Sequence, residues 1–290
     1  MKKQYFPKIN QFLMCLVLFE ICVSTSSSNA FFPKINEPNT QELESTSIKI
    51  GKTAIQLIQF GQNHEAIKLL KLAVKLNPKE NDLWTSLAEA QFRVNKKYQA
   101  ISSLSKAIQI NPKEQSIYFR KGSIYMDLNE PQKAKFAIKK GLLINEKNER
   151  GYFQLGNTEI MLNNYKSALI AFKRSSRINS NFWQSINNEG LVLYELNDLK
   201  EAILKFKSAL KISNDAEPML ALAVALFASD NKSYESFILA KKALEFNPKY
   251  VSQEYQTQQL WGKKLQKSAQ LLFQMQEMKK VVKTAKEKSQ

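Results

Sequence analysis

NDLWTSLAEAQFRVNKKYQAISSLSKAIQINPKE, residues 81–114, reads as two helices and two stops. Trp84, Leu87, Ala88 and Gln91 fall at i, i+3, i+4 and i+7, the spacing of one helical face. Asn95 then interrupts, and asparagine tolerates the left-handed backbone that ends a helix. Ala100, Leu104 and Ala107 resume the helical spacing. Pro112 has no N–H with which to continue a helix and supplies the second stop.

The same unit recurs every 34 residues on both sides. Ala66, Ala100, Ala134, Ala168, Ala202 and Ser236 form a ladder of small side chains, with Ala73, Ala107, Gly141, Ser175, Ala209 and Ala243 as a second. Gly61, Asn95, Asn129, Asn163, Asn197 and Asn231 mark the turns, and Pro78, Pro112 and Pro248 the second stops. A fixed period with small residues at each crossing identifies stacked copies of one packing unit, whose product is an extended surface. The copies are expected at 47–80, 81–114, 115–148, 149–182, 183–216 and 217–250, without insertion.

With Trp84-Leu87-Ala88, Tyr118-Gly122-Tyr125, Tyr152-Leu155-Gly156, Ala168-Phe172 and Ala202-Phe206-Ala209 in place, the chain resembles the tetratricopeptide repeat (TPR) family. Departures are local: Glu146, Ser180 and Asn214 stand where the family has proline, and Thr53-Ala54 where it has Leu-Gly. The resemblance implies an all-α fold, a superhelix of six helix-turn-helix repeats. Residues 251–276, with Leu260, Trp261, Leu265 and Leu272 able to share a face, are expected as a capping helix on copy six, with Tyr255 and Trp261 resting there. Residues 277–290 read as a basic tail whose end, KKVVKTAKEKSQ, is expected to fray.

The first 30 residues differ in kind. Lys2, Lys3 and Lys8 precede an apolar run over 12–23, and STSSSNA follows, the order of a secretory signal peptide with cleavage after Ala30. The alternative is an anchor retained through 12–23, although the run is shorter than the roughly 20 residues that span a bilayer. Both cysteines, Cys15 and Cys22, lie within it, so the mature chain carries no disulfide or thiolate site. Residues 31–46 read as a linker. Stretches such as FWQSINNEGLVLYEL, EPMLALAVALF and QLWGKKL resemble exported repeat proteins of cyanobacteria, which implies the periplasm or the thylakoid lumen.

The formal charge is +17, from 43 Lys and Arg against 26 Asp and Glu. Many lysines interleave with apolar residues on second helices (Lys68, Lys71, Lys75; Lys205, Lys207, Lys211), the pattern of a solvated outer face. Nucleic acid is not the expected partner, because stacking aromatics do not accompany the basic residues. His64 stands alone, metal ligands do not converge and no nucleophile or phosphate-loop motif occurs, so no catalytic residue, metal or cofactor is expected.

In the family the first helix of each copy lines the concave side, and carrying that register over gives Phe92, Arg93, Phe119, Arg120, Met126, Arg150, Phe153, Asn157, Ile160, Asn187, Asn188, Leu191 and Tyr194. Aromatic and methionine side chains supply contact area; arginine and asparagine supply directed hydrogen bonds. The chaperone-tail clamp of some members is absent: Asn157 and Asn188 match its two asparagines, but Phe153, Pro218 and Leu222 replace its basic residues. The expected function is a non-enzymatic, exported scaffold holding an acidic or apolar protein or peptide, in the assembly of a membrane or photosynthetic complex. The alternatives are an accessory subunit presenting substrate to a partner enzyme of envelope or glycan metabolism, and a peripheral tether touching a membrane surface through 263–290.

Overall fold

Helix pairs follow one another along the chain in a computed structural model that describes residues 39–230 and 234–289. The expected leader, linker residues 31–38 and the Asn231 turn lie outside the described residues. The pairs are α1 (Thr40–Gln59) with α2 (Asn63–Leu76), α3 (Asn81–Arg93) with α4 (Lys97–Ile110), and α5 (Gln115–Asp127) with α6 (Pro131–Ile144). Next come α7 (Glu149–Met161) with α8 (Tyr165–Ile178), α9 (Trp183–Glu195) with α10 (Leu199–Ile212), and α11 (Ala216–Ser229) with α12 (Tyr234–Phe246). Three further helices end the chain: α13 (Gln253–Gln258), α14 (Lys263–Gln274) and α15 (Lys279–Lys288). Among the described residues there is no strand.

Each described turn within a pair is one left-handed residue. Gly61, Asn95, Asn129, Asn163 and Asn197 have φ between 56° and 76°. Around Asn95 the amide of Asn95 donates to Phe92 O at 2.9 Å and that of Lys96 to Gln91 O at 2.8 Å, and the same two bonds recur at the other four. This double bond satisfies carbonyls that a helix end leaves open, and only a residue tolerant of positive φ permits it. Between pairs, Trp84 Nε1 donates to Pro78 O at 2.9 Å and Tyr118 OH to Pro112 O at 3.1 Å. At the proline-free turns after copies three and four an asparagine closes the turn: Asn145 Oδ1 accepts from Lys147 N at 2.9 Å and Asn179 Oδ1 from Asn181 N at 3.0 Å.

The small-residue ladder lies at the helix crossings. Ala66, Ala100, Ala134, Ala168, Ala202 and Ser236 have no exposed surface. A second rule is complementarity of size between the two helices of a pair. Gly156 and Gly190 sit so close to Phe172 and Phe206 that a Cβ would come within 2.4 and 2.5 Å of the rings, and Gly122 stands likewise 2.6 Å from Ile138. The corresponding positions in copies one and two are Ala54 with Leu70 and Ala88 with Leu104; in copy six the order of sizes reverses, Val224 with Ala240. All of these non-glycine side chains are buried.

First helices of consecutive copies touch, α5 with α7 and α9 with α11, while consecutive second helices do not to the same degree. The stack therefore curves toward its first-helix side.

The C-terminal region differs from the single capping helix expected over 251–276 and the frayed tail expected after it. Leu260, at φ 62°, reverses the chain after α13, Trp261 N closes that turn on Gln256 O at 3.0 Å, and α14 starts anew at Lys263. α14 lies on α9 and α11, the first helices of copies five and six. α15 packs on α12 and the 3-10 segment Pro248–Val251 with Ala285 buried, and Met278, just before it, is buried as well. Lysine density in 279–288 suggested solvent; the apolar minority of that segment is what packs.

Candidate functional site

The thirteen residues expected along the inner face divide into an open set, a set packed between copies and a covered set. The open set begins in copy two. Phe92 of α3 is half-buried above a cavity of about 110 Å³ lined also by Thr85, Ala88, Glu89, Leu104, Arg120, Ser123 and Ile124. Glu89 joins two arginines across this cavity, at 2.7 Å to Arg93 Nε and 3.2 Å to Arg120 Nη1. Such exposed pairs hold little energy, so the guanidinium groups are free to exchange Glu89 for another acceptor. Met126 is half-buried and Arg150 exposed on the same side of copies three and four.

Phe119, Phe153 and Ile160 serve packing. The Phe119 ring occupies the space that a Cβ on Gly141 or Gly151 would need, at 2.7 Å from each, so it wedges between copies three and four. Phe153 is tilted against Phe172 and Phe182, with centroids 5.8 and 5.1 Å apart, and Ile160 is 8% exposed. Asn157 and Asn188 are joined across copies, Nδ2 of Asn188 donating to Oδ1 of Asn157 at 3.0 Å.

Asn187, Leu191 and Tyr194 are covered. Leu191 and Tyr194 belong to the cluster that includes Leu265, Ala269 and Leu272 of α14. Tyr194 OH and Ser268 Oγ are hydrogen-bonded at 2.7 Å, and burial pushes the Tyr194 phenol above its usual range. Glu195 caps α14: its Oε2 accepts from Lys264 N at 3.3 Å and its Oε1 from Leu265 N at 3.0 Å. Carboxylate oxygens suit the unpaired N–H groups and positive end of a helix N-terminus. Lys264 Nζ turns back to Glu195 O at 2.6 Å and Asn197 Oδ1 at 2.8 Å. Trp261 rests on copy six as expected, its Nε1 donating to Glu217 Oε1 at 3.1 Å. The inner face of copies five and six is thus filled by the chain's own segment, for which Glu195 and Glu217 are the receiving residues that sequence reasoning missed.

A polar cavity of about 460 Å³ lies where the open and filled parts meet, lined by Phe153, Asn157, Trp183, Gln184, Asn188, Asp215, Glu217, Asn247, Tyr250, Tyr255, Gln258, Gln259 and Leu260. Burial raises the Glu217 carboxyl to about 7 against the hydrogen bond from Trp261, and Asp215 adds to the rise. Burial also pushes the Tyr250 phenol upward. Among the described residues, no three or more His, Cys, Asp or Glu side chains converge to hold a metal, and no helix is long and apolar enough to cross a membrane. His64 is exposed.

The sequence profile of the tetratricopeptide repeat family matches residues 82–114 and 115–148. No curated protein sequence matches the chain significantly. Solved structures do: PilF of Pseudomonas aeruginosa, at 17% identity and TM-score 0.61, aligns over 76% of this chain and 98% of its own. PilW, described as a widely conserved type IV pilus biogenesis factor, aligns at 19% identity and TM-score 0.61 over 74% of this chain and 98% of its own. YrrB, described as a TPR protein with an unusual peptide-binding site, aligns at 20% identity and TM-score 0.51 over 62% of this chain and 92% of its own. At these identities the structural likeness speaks for the fold alone. Two matched repeats within a stack of helix pairs of one design support the tetratricopeptide repeat family for this chain.

Proposed function

We propose that this chain is a non-enzymatic scaffold whose inner face in copies two to four holds a segment of a partner protein. The observation that carries this reading is the use of the same face in copies five and six. There the face accepts an amphipathic helix, with a carboxylate on the helix N-terminus, an indole N–H on a second carboxylate and leucines between first helices. On the same surface of copies two to four, Phe92, Met126, Arg93, Arg120 and Arg150 stay half-buried or exposed among the described residues. Apolar side chains beside arginines suit a partner segment that pairs apolar residues with carboxylates. The peptide-binding site named for YrrB and the pilus-biogenesis role named for PilW agree in kind with such a scaffold.

The finer reading is an exported scaffold, carried by the leader-like residues 1–30 into the periplasm or thylakoid lumen and acting in assembly of a membrane complex. A tether through residues 263–290 is disfavoured, because Leu265, Ala269 and Leu272 face copies five and six.

The test is selection of a peptide library on the full chain, followed by calorimetry of enriched peptides. Phe92→Ala with Arg120→Ala should weaken them at least about tenfold, a loss of about 1.4 kcal/mol. Peptides that bind wild type and the double variant equally would place the docking face elsewhere.

A further inference from the structure

Phe136, Ile170, Leu204 and Ile238 occupy one repeat position in four consecutive copies, each on a second helix. They are exposed by 68, 71, 49 and 47%. Single exposed apolar residues are ordinary on protein surfaces, but a series in register is a stripe. Each is followed three residues later by lysine: Lys139, Lys173, Lys207 and Lys241. A spacing of three puts both side chains on one helical face.

The charge around the stripe is one-sided. The second helices of copies three to six, α6, α8, α10 and α12, carry fourteen Lys and Arg and three acids, Glu201, Glu235 and Glu245. The paired first helices, α5, α7, α9 and α11, carry three Lys and Arg and six Asp and Glu. The layer that bears the apolar stripe is therefore strongly positive and the first-helix layer beneath it negative.

We infer that the second-helix layer of copies three to six is a docking surface for an anionic membrane. Apolar side chains standing out singly, each with a lysine one turn away, match the headgroup boundary of a bilayer. The apolar tips enter the acyl region while ammonium groups reach lipid phosphates on flexible stems. A nucleic-acid face would use stacking aromatics, and three of the four stripe residues are aliphatic. Lys140 lies 5.6 Å from the centroid of Phe136, so cation and apolar tip act at one place.

The test uses the full chain and sedimentation with vesicles of phosphatidylcholine alone or with phosphatidylglycerol. Residues 1–30 are common to all variants, so differences report the stripe. Wild type should prefer the anionic vesicles. Phe136→Ser, Ile170→Ser and Leu204→Ser together should lower partitioning at least about tenfold with an unchanged melting temperature, because these side chains are exposed. Lys173→Gln, Arg174→Gln and Lys207→Gln together should remove the preference for anionic over neutral vesicles. Equal partitioning of wild type and the serine variant would overturn the inference, as would equal binding of wild type to neutral and anionic vesicles. A serine variant that changes only the oligomeric state would make the stripe a contact between copies. One that loses only single-stranded DNA binding would make it a nucleic-acid face.

Discussion

Gly156→Ala tests the size rule that spaces the helices of a pair. The added methyl would sit 2.4 Å from Phe172 Cε1, 2.6 Å from Cζ and 2.7 Å from Cδ1. Ordinary contact begins near 3.4 Å, so the ring would have to retreat by about 1 Å. It has nowhere to go: Phe172 has no exposed surface, and Phe153 stands behind it at 5.8 Å. Overpacking of this kind costs about 1–3 kcal/mol, offset by up to about 1 kcal/mol because alanine favours helix over glycine. The expected net loss is about 1–2 kcal/mol. Phe172→Leu alone removes ring atoms from a filled site and costs about 1–2 kcal/mol. Together the two changes recreate the Ala88–Leu104 pairing of copy two. The double variant should therefore be more stable than the sum of the singles by at least about 1 kcal/mol, the coupling expected of residues in direct contact. Thermal melting by circular dichroism measures this, at about 2–4 °C per kcal/mol for a chain of this size. A solenoid can lose copies separately, so hydrogen exchange in α7 and α8 localises the change. Additive single effects would refute the idea that glycine–phenylalanine complementarity sets the spacing.

Glu195→Gln leaves one carbonyl oxygen in place of two carboxylate oxygens and removes a negative charge from the start of α14. Docking of that helix should weaken by about 1–2 kcal/mol, read as faster hydrogen exchange at Leu265–Leu272; unchanged exchange would mean that packing alone holds the helix. Glu217, with its folded pKa raised to about 7, binds its proton more tightly in the folded chain than in the unfolded one. Its stabilising contribution is complete below the ordinary carboxyl range and disappears as pH rises through about 7. Between pH 5 and 8 the melting temperature of wild type should fall relative to that of Glu217→Gln, whose amide oxygen still accepts from Trp261; parallel pH profiles would contradict the assigned burial.

What was legible in the sequence was local. Asn95, Asn129, Asn163 and Asn197 announce their left-handed turns because few residues tolerate that backbone, and Ala100 or Ala168 announces a crossing because a fully buried crossing takes a small side chain. The inner face was legible only as a register. Phe119 and Phe92 are both aromatic residues on first helices, yet one wedges between copies and the other stands above a cavity. The difference lies in the neighbours at Gly141 and Gly151, which Phe119 fills. The filling of copies five and six was not legible, because Glu195, Tyr194 and Glu217 meet partners 44 to 74 residues away. Periodicity does not determine where a non-repeating segment docks. Leu191 and Tyr194 would satisfy a partner's helix as well as they satisfy α14, so residue chemistry alone does not separate self-contact from recognition. The reach of the chain does: α14 covers first helices of two copies, and beyond its end Phe92, Met126, Arg93 and Arg120 keep the chemistry of a docking face with nothing of the described chain left to fill it.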